Sequence, residues 1–496
     1  MIPSEKPPTD ANVEFLRRRF VLGAAWSTGL RWAVKIIGLV STAFLARLLT
    51  PADFGLLAMA MIVVSFVDVW SDIGVEYALI QNQTPTRESY DTAWTLRLLQ
   101  AMFVALIVIA IAPLAAIYFK EPTVATLLWV LAASPIIVAS RNIGLVQYRK
   151  DLRLDKDFKL LVVSKLVTVG ITLACAWQLR DYRALVIGIL AGNIIESAGS
   201  YRIHPFRPRF TVKRAHEFKG YWIPTIANGL GHFCEGKLDE VLVGRFGSTS
   251  TMGLYSLASE LGQLPVSELA APLNKTLLPA LAMLQKEEVR LRAAYLNYQS
   301  ALALIVVPAG VGLAVVADQF VRVLLGDQWT GSTLVVQLLA IFGISKSSYL
   351  AVANTLVAVG RPKTSARLAW ASVGILLVGG LALAPTLGVT GIAIARLAGG
   401  VVILLIAFAA VQPIIGCRLR TLLGCFVRPA LSSAAMAAVV SQMPSLEHGV
   451  VADLLGKILI GATTYCVAAF ALWHASGRPD GGERLIVERF ARAKTG

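Results

Sequence analysis

Charged residues are scarce in this sequence. Asp, Glu, Lys and Arg make up 15% of its 496 residues, whereas hydrophobic residues make up 56%. Soluble globular domains are typically about one-quarter charged. So low a charged fraction over so long a chain excludes an ordinary soluble domain. It indicates a protein that crosses a membrane many times.

Cysteine and histidine are also rare, with five of each. The cysteines are scattered, so neither a disulfide framework nor a metal-ligand spacing emerges. Nucleotide-binding glycine motifs and Ser-His-Asp signatures are likewise not visible. The sequence therefore predicts no catalytic residues, no metal and no cofactor, with H⁺ or Na⁺ as the only small ion that the protein would use.

Hydrophobic runs of about 20 residues, long enough to span a bilayer, occur about fourteen times. The predicted spans are 20–47, 53–79, 92–118, 123–143, 158–179, 183–203, 217–245, 252–281, 295–323, 331–358, 364–385, 388–413, 424–443 and 449–474. No cleavable signal pattern precedes the first of them, so we expect residues 1–19 to remain as a polar cytoplasmic tail.

Basic residues are distributed unevenly between the two sides of the membrane. With the N-terminus in the cytoplasm, about 32 Lys and Arg fall in cytoplasmic segments and about six on the other side. This bias predicts that both termini are cytoplasmic and accounts for most of the net charge of +16. The positive charge therefore indicates topology and contact with anionic lipid, and does not indicate nucleic-acid binding.

Two corners of the chain are similar in sequence. The first reads RLLTPADFGLLAMA from Arg47, and the second reads RFGSTSTMGLYSLA from Arg245, 198 residues later. Both follow a predicted helix that leaves the cytoplasm. A parallel repeat of six spans per half is therefore expected, followed by two further spans at the C-terminus.

The same motifs carry a family resemblance. LLTPADFGLLAMA, SDIGVEYALIQ (Ser71 to Gln81) and LDEVLVGRFGSTSTMGLYSLASEL (Leu238 to Leu261) resemble the polysaccharide transporter family of Wzx-type oligosaccharide flippases. That family belongs to the multidrug/oligosaccharidyl-lipid/polysaccharide (MOP) superfamily. The resemblance implies an all-α, MATE-like fold of two pseudo-symmetric six-helix bundles arranged in a V, with about fourteen transmembrane helices in all.

The resemblance also implies a function. Such a protein flips an undecaprenyl-pyrophosphate-linked oligosaccharide across the bacterial inner membrane by alternating access, for O-antigen, capsule or exopolysaccharide synthesis. Its partners would be the lipid-linked oligosaccharide, membrane lipids, and polysaccharide polymerase and co-polymerase proteins. The expected domains are the tail 1–19, a bundle 20–203, a cytoplasmic linker 204–216, a bundle 217–413, two extra helices in 414–475 and a cytoplasmic tail 476–496.

Three carboxylates interrupt the second span. Asp68, Asp72 and Glu76 are spaced four residues apart, so a continuous helix over 53–79 would place them on one face. In an antiparallel pair with the first span, Arg31 would lie level with Asp68, and Lys35 one turn deeper. Charges at this depth are tolerated where they pair or face water, so we expect these side chains to line a hydrated cavity.

Basic residues in the spans are candidates for binding the pyrophosphate, because Arg and Lys replace the hydration of phosphate. The candidates are Arg31, Lys35, Lys237, Lys275 and Arg396. Acidic residues nearby would pair with those cations or bind a coupling ion, and the candidates are Asp68, Asp72, Glu76, Glu235, Asp239 and Glu260. Lys346 and Lys457 are expected to be peripheral.

Three alternatives stay open at this point. A multidrug or cation antiporter of the same superfamily would have similar spans but a more acidic cavity. A membrane polysaccharide polymerase would need a catalytic loop on the outer face, where only short loops are predicted. A scaffold role in an envelope-synthesis complex is the third alternative.

Overall fold

The computed structural model describes the backbone of residues 10–69, 74–82, 84–151, 154–218, 222–444 and 449–478, and residue 482. Side chains are described from residue 29 onward within these ranges, apart from residues 77, 154, 157, 218 and 222–228. Helices are the only regular secondary structure in this part of the chain. The predicted all-α class is confirmed.

The chain forms two compact units, Met1–Phe233 and Cys234–Gly496, and the division falls inside the tenth helix. The helices that begin in the first unit are α1 Asp10–Leu48, α2 Pro51–Asp68, α3 Val75–Gln81, α4 Arg87–Phe119, α5 Thr123–Leu131, α6 Ala133–Ala139, α7 Leu145–Lys150, α8 Leu154–Leu179, α9 Arg183–Ile203 and α10 Trp222–Phe246. Within this unit α8 packs against both α9 and α1, and α2 packs against α4 and α5.

The second unit continues with longer helices. They are α11 Thr249–Gly262, α12 Ala271–Met283, α13 Glu288–Val315, α14 Ala317–Leu324, α15 Thr333–Ala358, α16 Pro362–Ile415, α17 Leu419–Ser441 and α18 Val450–Ala475. Helix α15 is central, because it packs against α11, α12, α13 and α16. Three single-turn elements complete the order: the 3₁₀ helices Ala215–Phe218 and Asp327–Ser332 and the π-helix Pro265–Ala270.

Ten helices in the described residues are long and apolar enough to cross a membrane. One of these is the 54-residue α16, which contains two helices joined at Gly388. Gly388 has φ of +56°, a left-handed conformation that glycine adopts readily and that interrupts the helix. The break falls where the sequence predicts a boundary between two spans. Large apolar side chains such as Phe103, Trp177 and Val467 are more than 60% exposed on helix surfaces, as expected for lipid contact.

The predicted repeat is present in the backbone of the two corners. Thr50 caps α2 with φ −84° and ψ 160°, and Ser248, 198 residues later, caps α11 with φ −86° and ψ 167°. Each hydroxyl accepts a hydrogen bond from the backbone N–H three residues on. The same cap chemistry therefore starts the second helix of both halves.

The second helix of each half is also interrupted at the same place. Helix α2 ends at Asp68, and its counterpart α11 ends at Gly262 and runs into the π-helix Pro265–Ala270. Subtracting the 198-residue offset from the π-helix gives residues 67–72, which is where α2 stops. A sustained helix over 53–79 was therefore a wrong prediction. Gly74 begins α3 in the left-handed conformation, with φ of +69°, and a continuous α-helix does not admit it.

The first corner is reinforced by Asp53. Its carboxylate accepts hydrogen bonds from the Thr50 N–H at 2.9 Å and from the Tyr182 N–H at 3.0 Å, which completes a capping box and ties α2 to the start of α9. Asp53 is buried. The Ser248 corner has Thr251 at this position and no such carboxylate.

We expect Asp53→Ala to lower stability by about 2 kcal/mol, because it disrupts the capping box and leaves the partly buried N–H of Tyr182 without this partner. Ser248→Ala should cost about 1 kcal/mol, since it removes a cap alone. Thermal melts of the purified variants in one detergent measure both values. An Asp53→Ala loss no larger than that of Ser248→Ala would show that the bond to Tyr182 contributes nothing.

Candidate functional site

Four charged residues lie within two turns of α10, in the part that belongs to the second unit: Glu235, Lys237, Asp239 and Glu240. Asp239 and Glu240 are 2% and 6% exposed. Lys237 Nζ lies 2.8 Å from both carboxylate oxygens of Glu240, so these two charges neutralise each other on one helix face. Asp239 needs a partner from another helix.

Asp239 finds its partners on α11 and α16. Tyr255, which is fully buried, donates its hydroxyl to Asp239 Oδ2 at 2.8 Å. Arg396 Nε lies 3.6 Å from the same oxygen. This distance allows charge pairing but is too long for a hydrogen bond. Three helices are therefore joined through one buried carboxylate.

Arg396 is only 6% exposed. Its Nη2 donates to the backbone carbonyl of Glu235 at 2.7 Å, and its guanidinium carbon lies 4.8 Å from the centre of the Phe342 ring. A guanidinium at this distance over a ring is stabilised by a cation–π interaction. Ring and carbonyl hold the arginine in place while leaving part of its donor set unused.

A second cation lies on the same ring. Lys346, in the middle of α15, has its Nζ 5.9 Å from the centre of Phe342 and donates to Gln263 Oε1 at 2.8 Å. Gln263 in turn donates to Ser259 Oγ. Lys346 thus has a neutral hydrogen-bond partner, and its charge is available to a ligand.

These side chains surround a small cavity inside the second unit, with about 20 Å³ open to the centre of a water molecule. It is lined by Glu235, Phe342, Lys346, Tyr349, Ser372, Leu376, Arg396, Gly399, Gly400 and Ile403. A cavity of this size admits a group of a few non-hydrogen atoms. Two cations and one carboxylate are among the polar groups of its lining.

Glycine at position 400 keeps the pocket wall thin. A Cβ added there would lie 2.6 Å from the Phe342 ring and 2.9 Å from Ser345 Oγ. Any larger residue would push the ring toward Arg396 and Lys346. The close packing of α15 against α16 therefore depends on a missing side chain.

The structure distributes the predicted site residues of the second unit. Arg396 and Glu235 line the pocket, and Asp239 lies behind Arg396. Lys237 is engaged by Glu240. Lys275 and Glu260 are exposed on α12 and α11 and are not among the pocket residues. The roles of all six in binding stay predictions.

In the first unit, Arg31 and Lys35 are half-buried on α1, and Asp68 is exposed at the end of α2. The Arg31 Nε is buried and makes no hydrogen bond within the described residues. Asp72 lies outside the described residues. The expected pairing of Arg31 with Asp68 stays a prediction.

Glu76 lies elsewhere than the sequence suggested. It is on the short helix α3, where its two oxygens pair with Arg97 at 3.3 Å and Arg149 at 2.8 Å. The single face shared by Asp68, Asp72 and Glu76 is therefore a wrong prediction, because the helix that would have aligned them is broken at Gly74.

Arg97 is the centre of this second cluster. Besides Glu76, its guanidinium donates to the backbone carbonyl of Ala139, the last residue of α6, and to that of Arg141 just beyond it. A cation at a helix C-terminus is favourable because the carbonyls there lack partners in the helix. The cluster thus satisfies a helix end and is a structural feature.

We expect Arg97→Lys to destabilise the protein by about 2 kcal/mol, because an ammonium group cannot reproduce the forked donation to two carbonyls and a carboxylate. Arg149→Lys is a matched control. Arg149 is one-third exposed and pairs with one oxygen of Glu76, so the change should cost less than about 1 kcal/mol. Melting temperatures compare the two, and equal losses would count against the carbonyl contacts.

Three residues of the site were missed or misjudged from the sequence. Lys346 was expected to be peripheral, and that was wrong, since it lines the pocket. Tyr255 was not singled out, because a tyrosine in an apolar span gives no signal of its hydrogen bond. Glu240 is not among the candidates from the sequence, although its position three residues after Lys237 is a spacing that predicts an ion pair on a helix.

Comparisons with known proteins agree with this architecture. Residues 44–334 match a family of polysaccharide biosynthesis proteins. The chain is 24% identical over 356 residues to the lipopolysaccharide biosynthesis protein WzxC of Escherichia coli (strain K12), covering 70% of this chain and 71% of that protein.

Two solved structures share the fold. One is the lipid II flippase MurJ in an inward closed conformation, with a TM-score of 0.75 and 14% identity over 92% of this chain and all of MurJ. The other is an inward-facing multidrug resistance MATE family transporter of the MOP superfamily, with a TM-score of 0.57 and 14% identity over 77% of this chain and 95% of that chain. The predicted superfamily fold is confirmed by these two likenesses.

Proposed function

Because this chain belongs to the polysaccharide biosynthesis protein family, we propose that it translocates a lipid-linked oligosaccharide across the bacterial inner membrane for synthesis of a cell-surface polysaccharide. It is a multi-pass membrane protein and acts as a flippase rather than as an enzyme. The lipid is a polyprenyl carrier with a pyrophosphate, and the protein moves it by alternating access.

The observation that supports this function best is the pocket of the second unit. A pyrophosphate group carries negative charge that hydrocarbon does not solvate, so a flippase must supply fixed cations and hydrogen-bond donors inside its apolar helices. Arg396 and Lys346 are two such cations, held by a ring and by neutral acceptors. Arginine suits phosphate because its donors form a planar fork.

The same pocket distinguishes the nearest alternative. A transporter of cationic drugs would present carboxylates to its ligand with few competing cations. Here the one carboxylate in the pocket lining, that of Glu235, shares the site with Arg396 and Lys346. A lining with two cations and one carboxylate favours an anionic ligand.

Four finer points belong to the proposal. Both termini face the cytoplasm, as the distribution of Lys and Arg favours. Transport draws on H⁺ or Na⁺, and no other cofactor is needed. A polysaccharide polymerase and a co-polymerase use the flipped product. The remaining basic candidates, Arg31, Lys35, Lys237 and Lys275, help to guide the pyrophosphate.

The test is a strain in which the chromosomal copy has been deleted and the intact chain is returned on a plasmid. We expect the deletion strain to lose surface polymer and to accumulate lipid-linked repeat units that an external glycosidase does not reach. The wild-type chain should restore surface polymer and remove the accumulated repeat units. Normal surface polymer in the deletion strain, with no accumulated intermediate, would rule out this function.

A further inference from the structure

Arg396 is incompletely paired for so buried a cation. Among the described residues its one hydrogen bond joins Nη2 to the carbonyl of Glu235, and its Nε has no acceptor within hydrogen-bond distance. Asp239, which forms an ion pair with it, also has a buried Oδ1 that accepts no hydrogen bond within the described residues. Buried polar atoms are nearly always satisfied, so a charged pair with two orphaned atoms needs an explanation.

The pocket is the space from which a ligand could reach Arg396 and supply its missing hydrogen-bond acceptor. Arg396 and Lys346 both lie within 6 Å of the Phe342 ring centre and both line the cavity. Tyr349 and Ser372 add hydroxyl groups to the same lining. Two cations and two hydroxyls that converge on one small space form a donor set suited to the oxygens of an anion.

We propose that this pocket is a subsite for a single oxyanion group, a phosphoryl or a carboxylate, which binds Arg396 and Lys346 in competition with Asp239. The identity of the natural ligand rests on the proposed function, but the existence of the subsite does not. With about 20 Å³ open to the centre of a water molecule, the cavity accepts one such group and is too small for a whole repeat unit.

Competition with Asp239 follows from the geometry of the pair. Its Oδ2 is held by the Tyr255 hydroxyl at 2.8 Å, while the contact to Arg396 Nε is long at 3.6 Å. Tyr255 therefore fixes the carboxylate slightly too far from the arginine Nε for a hydrogen bond, although the charges still pair. An incoming anion completes the coordination of Arg396, and the nearby negative charge of Asp239 opposes it.

Two parts of a lipid-linked acidic oligosaccharide have this chemistry. One is the pyrophosphate of the carrier, and the other is the carboxylate of a uronic acid. The probes are therefore inorganic pyrophosphate, methyl phosphate and glucuronate, each titrated by calorimetry into the purified full-length protein in detergent. Saturation by the two phosphates alone assigns the subsite to the carrier, and saturation by glucuronate assigns it to the sugar.

Variants test the assignment of residues. Arg396→Gln and Lys346→Met should each weaken binding of the saturating probe at least about tenfold, the loss expected when a charge-assisted hydrogen bond is removed. Asp239→Asn should tighten it about tenfold, because the competing charge is gone while the Tyr255 partner stays. Arg322→Gln, an exposed arginine paired with Asp318 and Asp327, removes one positive charge outside the pocket and should leave affinity unchanged.

Several outcomes would overturn the proposal. One is that no probe binds the wild-type protein saturably. Another is that Arg396→Gln leaves binding intact. The third is that Asp239→Asn weakens binding although the variant melts at the wild-type temperature. The subsite and the transport function separate cleanly. If the probes bind but the deletion strain makes normal polymer, the subsite is retained and the flippase function is rejected. If the protein supports export but binds no probe, the function is retained and the subsite is rejected.

Discussion

Replacing Arg396 with methionine is expected to abolish polymer export and to reduce the amount of folded protein in the membrane. The change removes the arginine that pairs with Asp239 and leaves a carboxylate 2% exposed in an apolar interior. Removing one partner of a buried ion pair typically costs about 3–5 kcal/mol. Loss of export from this variant alone would therefore mix two effects.

A second variant separates stability from transport. Arg396→Met combined with Asp239→Asn removes both charges, and the neutral amide still accepts the Tyr255 hydroxyl bond. Removal of both partners of a buried pair is often neutral or stabilising. We expect the double variant to regain the wild-type melting temperature but not export.

Membrane levels are measured by immunoblotting, stability by melting in detergent, and export by surface polymer. Recovery of export along with stability in the double variant would show that Arg396 serves only to neutralise Asp239. The matched control is Lys457→Met combined with Asp453→Asn. This pair is also buried, with a 2.8 Å contact on α18, but it is not among the pocket residues, so export should persist.

Arg31→Ala is expected to lower export at least tenfold while leaving the protein in the membrane. Arg31 is half-buried on α1, and its buried Nε makes no hydrogen bond within the described residues, so this donor can bind a ligand without breaking a described bond. A charge-assisted bond to a phosphate contributes about 1.5–3 kcal/mol, which corresponds to tenfold or more in affinity. The loss should therefore appear in transport and leave the melting temperature unchanged.

Arg31→Lys is the informative companion. It keeps the positive charge but not the planar fork of donors, so it should restore export only in part if the ligand is a phosphate. Surface polymer and accumulated intermediates are measured for both variants. Normal export by Arg31→Ala would remove this residue from the mechanism.

Much of the helical framework can be predicted from sequence. Apolar runs mark where helices cross a membrane, and the corner motifs mark where they turn. The structure repeats the Thr50 cap at Ser248, at the offset that the motifs show, because capping depends on one hydroxyl and its neighbours. Helix capping of this kind depends on a few consecutive residues, so it can be predicted from the sequence.

Helix interruptions were harder to foresee. Asp68, Asp72 and Glu76 have helical spacing, yet α2 stops at Asp68, and the left-handed Gly74 turns Glu76 toward Arg97 and Arg149. Spacing alone does not show whether a helix continues, because a glycine is compatible with both outcomes. Partners from α4 and α7 decided where that carboxylate lies.

The sequence by itself determined the class of protein, the approximate positions of its helices and the presence of charges that hydrocarbon would not tolerate alone. Only the tertiary structure decided which of those charges meet: Lys346 and Arg396 beside the Phe342 ring, Asp239 with Tyr255 and Arg396, and Lys237 with Glu240. The physical reason is range. Hydropathy and capping depend on neighbours along the chain, whereas a pocket depends on the packing of α10, α11, α15 and α16, and no pattern within one helix records its partners on another.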